Sequence, residues 1–144
     1  MISLNRLIPN KITGKYRFGL INQAYKGKFK KGERVLDIGC GTGIISKYLI
    51  EQFNIELTAC DIDSYLLEEI PFIKIKKGYR LPFGDKSFKK ALLNDVLHHI
   101  PVNDQVFLIR EALRVADQVL IFEIKPSFIG IFTEMNGYPV TIRL

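Results

Sequence analysis

Apolar residues along this chain alternate between short continuous runs and wider, helix-like spacing. Five runs read as short, largely buried strands: Arg34 to Ile38, Glu56 to Asp61, Phe72 to Ile75, Lys90 to Val96 and Gln118 to Ile124. Between them the period changes. Leu20, Ile21, Ala24 and Tyr25 share one face of a helix over residues 14–25. Ile45, Tyr48, Leu49 and Phe53 form the apolar face of a second helix, with Thr42 placed to cap it. Ser64 is placed to cap a short helix that runs to Ile70 and is ended by Pro71. Val106, Ile109 and Leu113 mark a further helix after Pro101.

Strands alternating with helices at this spacing predict an α/β fold with a doubly wound, mostly parallel sheet and helices on both faces. Ligands in such sheets bind beyond the carboxyl ends of the strands, where the strand order reverses. The loops that follow each strand are therefore the places to look for chemistry. Beyond Ile124, Pro126 to Thr133 is expected to make a turn or two of helix, and Pro139 to Leu144 one strand.

Composition narrows the picture. A chain of 144 residues, 47% hydrophobic and 25% charged, is one domain's worth and is neither disordered nor fibrous. No apolar run reaches the roughly 18 residues that a membrane-spanning helix needs, and no secretory signal is evident. Two cysteines, Cys40 and Cys60, are too few for a disulfide framework and fit a reducing, cytoplasmic setting. Two histidines without a cysteine cluster give no reason to expect a metal site.

The charge is uneven. Residues 1–32 hold eight Lys or Arg and no Asp or Glu, whereas the remainder holds 13 basic and 15 acidic residues. The sequence thus divides into a basic leader with an amino-terminal helix (1–32) and an α/β body (33–144). The leader suits an anionic partner, though without interleaved aromatics a solvated lysine-rich surface accounts for it more simply.

The first strand ends in Asp37-Ile-Gly39-Cys-Gly41-Thr-Gly43. Its glycines sit closer together than the G-x-G-x-x-G of dinucleotide sites, which argues against an NAD-dependent dehydrogenase. A carboxylate two positions before the first glycine repels a pyrophosphate and suits a cation. Asp61 closes the second strand 18 residues after Gly43, near the spacing expected of a ribose-binding acid. It is also placed to cap a following helix, and the glycines alone also fit a tight turn. Asn94-Asp-Val-Leu-His-His-Ile100 leaves the fourth strand.

Val35 to Gly43, Asp61, Leu81-Pro-Phe83 and Leu97-His-His-Ile100 together closely resemble the class I S-adenosylmethionine-dependent methyltransferases, over about residues 31–124. Within that family the chain looks like the branch that methylates small molecules and lipid precursors. The resemblance implies S-adenosyl-L-methionine as cofactor and a small-molecule or lipid-like methyl acceptor. It places Asp37 and the backbone of Gly39, Gly41 and Gly43 around the methionine part, Asp61 on the ribose, Ile62 beside the adenine and Asn94 next to the sulfonium. Cys40 falls inside this cofactor-binding loop, with its side chain expected to pack as a small apolar group. His98 and His99 are candidates for a base that takes a proton from the acceptor, or for loop anchors held by hydrogen bonds.

Three departures stand out. Lys76 to Arg80 carries no acid where the family often places one for the adenine amine, leaving backbone groups or Tyr79 to recognise the base. Lys89 replaces the family's usual Asp. The tail is too short for the antiparallel hairpin that normally closes the sheet, so the carboxyl-terminal edge is expected to be incomplete. Its fifth strand would be covered by the tail or by a homo- or hetero-oligomeric partner. A non-catalytic S-adenosylmethionine-binding module, or a subunit of a larger methyltransferase complex, is the alternative that these departures favour.

Overall fold

A computed structural model describes residues 4–78, 80–124 and 137–143, with side chains over 14–78 and 80–123. The order is α1 (Leu4–Tyr25), β1 (Arg34–Ile38), α2 (Ile44–Phe53), β2 (Glu56–Asp61), β3 (Phe72–Lys74), β4 (Phe88–Asn94), a 3-10 turn (Leu97–His99), α3 (Val102–Val115), β5 (Ala116–Ile124) and β6 (Gly137–Arg143). The six strands form one sheet in the order β3-β2-β1-β4-β5-β6. All neighbours are parallel except β5 and β6, which run antiparallel. The chain winds outward from β1 to β3, then returns to place β4 on the other side of β1. The order therefore reverses between β1 and β4, which pair from Val35↔Lys90 to Ile38↔Leu93.

Alternation along the strands divides the core into two layers. Leu36, Ile38, Ala91, Leu93, Val119 and Ile121 point to one face, where Ala112, Leu113 and Val115 of α3 cover them. Val35, Leu92, Leu120 and Phe122 point to the other, against Ile21 and Tyr25 of α1 and Leu49 of α2. Helices thus lie on both faces, as the alternation predicts, and α1 shares its core with the sheet.

Several elements differ from their sequence expectation. Helix α1 begins at Leu4 rather than near residue 14; Leu4, Leu7 and Ile8 keep a helical interval despite Pro9. No side chain caps α2, and Gly43 takes the cap position in the left-handed conformation instead of Thr42 capping it. Residues 64–70 form no helix. Leu67 N–H donates to the Thr42 carbonyl, and the segment lies over the loop before α2 instead of coiling on itself. Strand β4 runs 88–94 rather than 90–96, because Asp95 adopts φ 52° and turns the chain out of the sheet. On α3, Val106 is exposed, and Ala112, Leu113 and Val115 form the buried face.

The edge of β5 is covered by the chain's own β6, over Gln118↔Arg143 to Ile124↔Gly137. Of the two covers expected, tail or partner, it is the tail that pairs here, seven residues of β6 matched one to one with seven of β5. The helical turn expected over Pro126 to Thr133 lies outside the described residues.

Leu92 sits fully buried on the central strand, between β1 and β5. Leu92→Ala should lower unfolding free energy by about 2–5 kcal/mol, read from urea melts, with far-UV circular dichroism unchanged.

Candidate functional site

A cavity of about 760 Å³ opens at the carboxyl end of the sheet, above the β1/β4 reversal. Its floor is the loop after β1. Gly39 has φ 78°, and a Cβ there would lie 2.4 Å from Cγ2 of Val96, so only glycine lets the β1 and β4 ends approach this closely. Gly43 also has positive φ, but a Cβ on it would meet Leu66 and Ile70 at 2.9 Å. It is a packing position under the 62–71 segment and does not line the cavity, unlike Gly39, Cys40 and Gly41.

Two carboxylates stand at the floor in different conditions. Asp61 is pinned by backbone: Gly41 N–H donates to Oδ2 at 2.8 Å and Ile62 N–H to Oδ1 at 2.7 Å. It therefore braces the glycine loop, a role the sequence reading missed, and it caps no helix, because none follows. Asp37 is 2% exposed and accepts from the Ser46 hydroxyl at 2.6 Å. Burial raises its pKa to about 6; Ser46 opposes the shift, Asp61 adds to it, and Asn94 and Arg17 lower it slightly. Burial, with Asp37 and Asp61 nearby, pushes the Cys40 thiol up to about 12, so Cys40 is a packing group rather than a nucleophile. Both cysteines are free.

Asn94 closes β4. Its Oδ1 accepts from the Tyr25 hydroxyl at 2.6 Å, and it lines the cavity at 8% exposure. Its Nδ2 lies near enough to influence Asp37 but has no hydrogen-bond partner. The next residue, Asp95, is held by Arg17 Nη2 at 2.7 Å and Nε at 3.1 Å. Helix α1 thus grips two consecutive residues at the end of β4, which sequence periodicity had no means of revealing.

The two histidines separate. His99 lines the cavity; His98 does not and instead bonds through Nδ1 to Glu123 Oε2 at 2.7 Å. Glu123 also accepts from the N–H groups of Val96 and Leu97, so His98 belongs to a loop anchor. Asp95, His98 and Glu123 place potential metal-ligand atoms within 4.8 Å of one another. Arg17, the two backbone N–H groups and the histidine itself already occupy these carboxylates.

Apolar Ile62 and Tyr65 form one rim of the cavity, both exposed, and Phe107 of α3 stands on another. Lys76, Lys77 and Gly78 line it where the family's adenine acid is missing; Tyr79 lies outside the described residues. Leu81 is fixed in the wall by α3: its N–H donates to Glu111 Oε2 at 2.8 Å and its carbonyl accepts from Arg114 Nη2 at 3.0 Å. Lys89 forms an exposed ion pair with Asp117. No described helix is long and apolar enough to cross a membrane.

Comparison with known proteins agrees with this geometry. A family model described as a methyltransferase domain matches residues 36–119. The chain belongs to the methyltransferase-domain family. Phosphoethanolamine N-methyltransferase 2 of Caenorhabditis elegans is 30% identical over 107 residues, covering 66% of this chain and 24% of the relative. A 27-O-demethylrifamycin SV methyltransferase of Amycolatopsis mediterranei is 32% identical over 103 residues, covering 60% of this chain and 35% of the relative. The chain therefore spans about a quarter to a third of the curated relatives it matches. A crystal structure of a SAM-dependent methyltransferase from Archaeoglobus fulgidus superposes with TM-score 0.68 at 20% identity, over 86% of this chain and 60% of the other. At that identity the superposition speaks for the fold.

The state of Asp37 has a measurable signature. With its folded pKa near 6 against an ordinary 3.8, the folded protein keeps a proton that the unfolded chain has lost between those values. This group's contribution to stability therefore falls as pH rises through that window and is gone above about pH 6. On going from pH 7.5 to pH 5, wild type should gain about 1 kcal/mol relative to Asp37→Asn in urea unfolding. Parallel pH profiles for the two proteins would contradict the buried, charged Asp37 described above.

Proposed function

We propose that this chain binds S-adenosyl-L-methionine in the β1/β4 cavity and directs its methyl group to a small-molecule or lipid-like acceptor. The observation that carries the reading is the pairing of a carboxylate-edged cavity with a family match over residues 36–119. The residues suit the cofactor. Asp37 and Asp61 offer negative charge to its ammonium and sulfonium groups and ribose hydroxyls, and Asn94 Nδ2 is a buried donor with unmet bonding capacity. Ile62 supplies an apolar surface for the adenine. Gly39, Cys40 and Gly41 let the backbone approach the methionine part. When bound, the cofactor supplies an activated methyl carbon with a neutral thioether as leaving group.

The protein's own contribution is then orientation and the exclusion of water, worth up to about 7–11 kcal/mol of barrier in well-aligned systems. Asp37 and Asp61 hold the cofactor's polar ends, and the α1 contacts fix the wall nearest the transferred group. His99, at the cavity wall, is placed to accept a proton where the acceptor is a hydroxyl or protonated amine. His98 keeps the 97–99 turn in position through Glu123. In this reading residues 33–144 carry the cofactor, and the basic 1–32 segment covers the cavity and meets anionic partners. We assign the protein to the cytoplasm on its two free cysteines.

A second reading, a cofactor-binding module within a larger methyltransferase, is favoured by one observation: the chain matches 24% and 35% of the lengths of its curated relatives. Calorimetry with S-adenosylhomocysteine and methyl transfer from labelled S-adenosylmethionine separate the two. Binding with transfer to a hydroxyl, amine or lipid-precursor acceptor supports the enzyme; binding with no transfer to any class supports the module. Absence of binding refutes both.

Asp61→Ala removes a charged acceptor that also braces Gly41. Affinity for S-adenosylhomocysteine should fall by about 1.5–3 kcal/mol, measured by calorimetry. An unchanged dissociation constant refutes the ribose assignment.

A further inference from the structure

We infer that Arg17, on α1 and outside the family-matched segment, receives the carboxylate of the cofactor's methionine part. The inference rests on the cofactor reading above and deepens it. That reading gives Asp37 and Asp61 the ammonium, the sulfonium and the ribose hydroxyls, and leaves the ligand's one anionic group without a counterpart. A carboxylate brought into a cavity edged by two acids needs a cation beside it. Among the described residues three cations line the cavity: Arg17, Lys76 and Lys77.

Strand order decides between them. Arg17 stands at the end of β4, where it holds Asp95, and the two lysines follow β3. Strands β3 and β4 have β2 and β1 between them, three strand spacings or about 14 Å. Asp61 ends β2, beside β3, and Asp37 stands on β1, beside β4. A cofactor laid across these two acids, with its ribose at Asp61, turns its adenine toward the lysines and its amino-acid end toward Arg17. The arginine is also close enough to Asp37 to lower that residue's pKa.

The guanidinium has a free edge for the task. Nε and Nη2 both donate to one oxygen, Asp95 Oδ2, at 3.1 Å and 2.7 Å. A guanidinium carries five N–H donors in a rigid fork. The Asp95 bonds use one side of it, and the end formed by Nη1 and the second N–H of Nη2 makes no described bond. The arginine side chain is 35% exposed, and none of its nitrogens is an enclosed atom without a partner, so that end is open to a ligand. Two parallel N–H groups match the two oxygens of a carboxylate. Asp95, 6% exposed, fixes the guanidinium from behind.

The full chain and its Arg17→Gln and Arg17→Lys variants test this by calorimetry with two probes: S-adenosylhomocysteine, and its decarboxylated form, which keeps the amine and lacks the carboxylate. Wild type should bind the first about tenfold more tightly. Arg17→Gln should abolish that preference by weakening S-adenosylhomocysteine about tenfold without weakening the decarboxylated probe. Arg17→Lys keeps a charge for Asp95 but has no second edge; it should lose part of the preference in the same way, and it carries the test where the glutamine variant does not fold. Equal weakening of both probes marks an arginine that only fastens α1 and overturns the inference, as does a preference that survives Arg17→Gln. Wild type that binds both probes equally overturns the inference and leaves the cofactor reading standing; wild type that binds neither overturns both.

Discussion

Pairing of β1 with β4 is the constraint on which this site depends. These two strands are neighbours in space but not in sequence, and the helices that leave them go to opposite faces of the sheet. Their carboxyl ends therefore diverge above the hydrogen-bonded register and leave a crevice that neither connection fills. Val35↔Lys90 to Ile38↔Leu93 sets Asp37 and Asn94 at the two sides of that crevice. Gly39 keeps it narrow, because Val96 occupies the volume that any side chain there would need. The cavity is thus a consequence of winding order plus one missing Cβ.

Electrostatics within the crevice follow from how each carboxylate is held. Asp61 receives two backbone N–H groups, so its negative charge is stabilised by dipoles that the fold already supplies. Asp37 receives one serine hydroxyl and loses most of its hydration, which lifts its pKa to about 6. An ionised Asp37 at neutral pH therefore weakens the ligand-free protein, and a cation beside it relieves that cost. A phosphate would add to it. The same two residues that make the floor hostile to a dinucleotide make it suitable for an amino acid joined to a nucleoside.

Much of this was legible in the sequence, for identifiable reasons. Strand positions rest on continuous apolar runs bounded by turn residues, so β1, β2 and the core of β4 and β5 were recoverable. The glycine spacing and Asp61 pointed to the loop that floors the cavity because they impose backbone geometry locally. What the sequence hid depends on partners distant along the chain. Residues 64–70 carry a helical cap signal, yet Leu66 and Ile70 are drawn over Gly43 instead. Val106 has helical spacing with Leu113 but faces outward, since the buried face of α3 is turned by the Glu111–Arg114 grip on Leu81 and Phe83. His98 and His99 are adjacent and chemically identical in sequence; only Glu123, 25 residues from His98, separates anchor from wall. Tyr25 looked like one more apolar residue of a helix face, because its hydroxyl partner is 69 residues away.

Helix α1 changes how the cavity should be understood. The family match begins at residue 36, so α1 lies outside the part of the chain that family membership explains. It nevertheless meets the site three times. Gly14 packs on Ile44 so closely that a Cβ would fall 2.6 Å from Cγ2, Arg17 pairs with Asp95, and Tyr25 bonds Asn94. These contacts run along one helix from Gly14 to Tyr25, from the cavity lining to the buried core. A helix so attached cannot shift along the sheet without breaking a close packing contact, a charged pair and a buried hydrogen bond together. Gly14 and Arg17 line the cavity, so part of its wall is built by a segment outside the family match. The two curated relatives are named for different acceptors, phosphoethanolamine and 27-O-demethylrifamycin SV, and a fold shared across different acceptors leaves the choice to the site built on it.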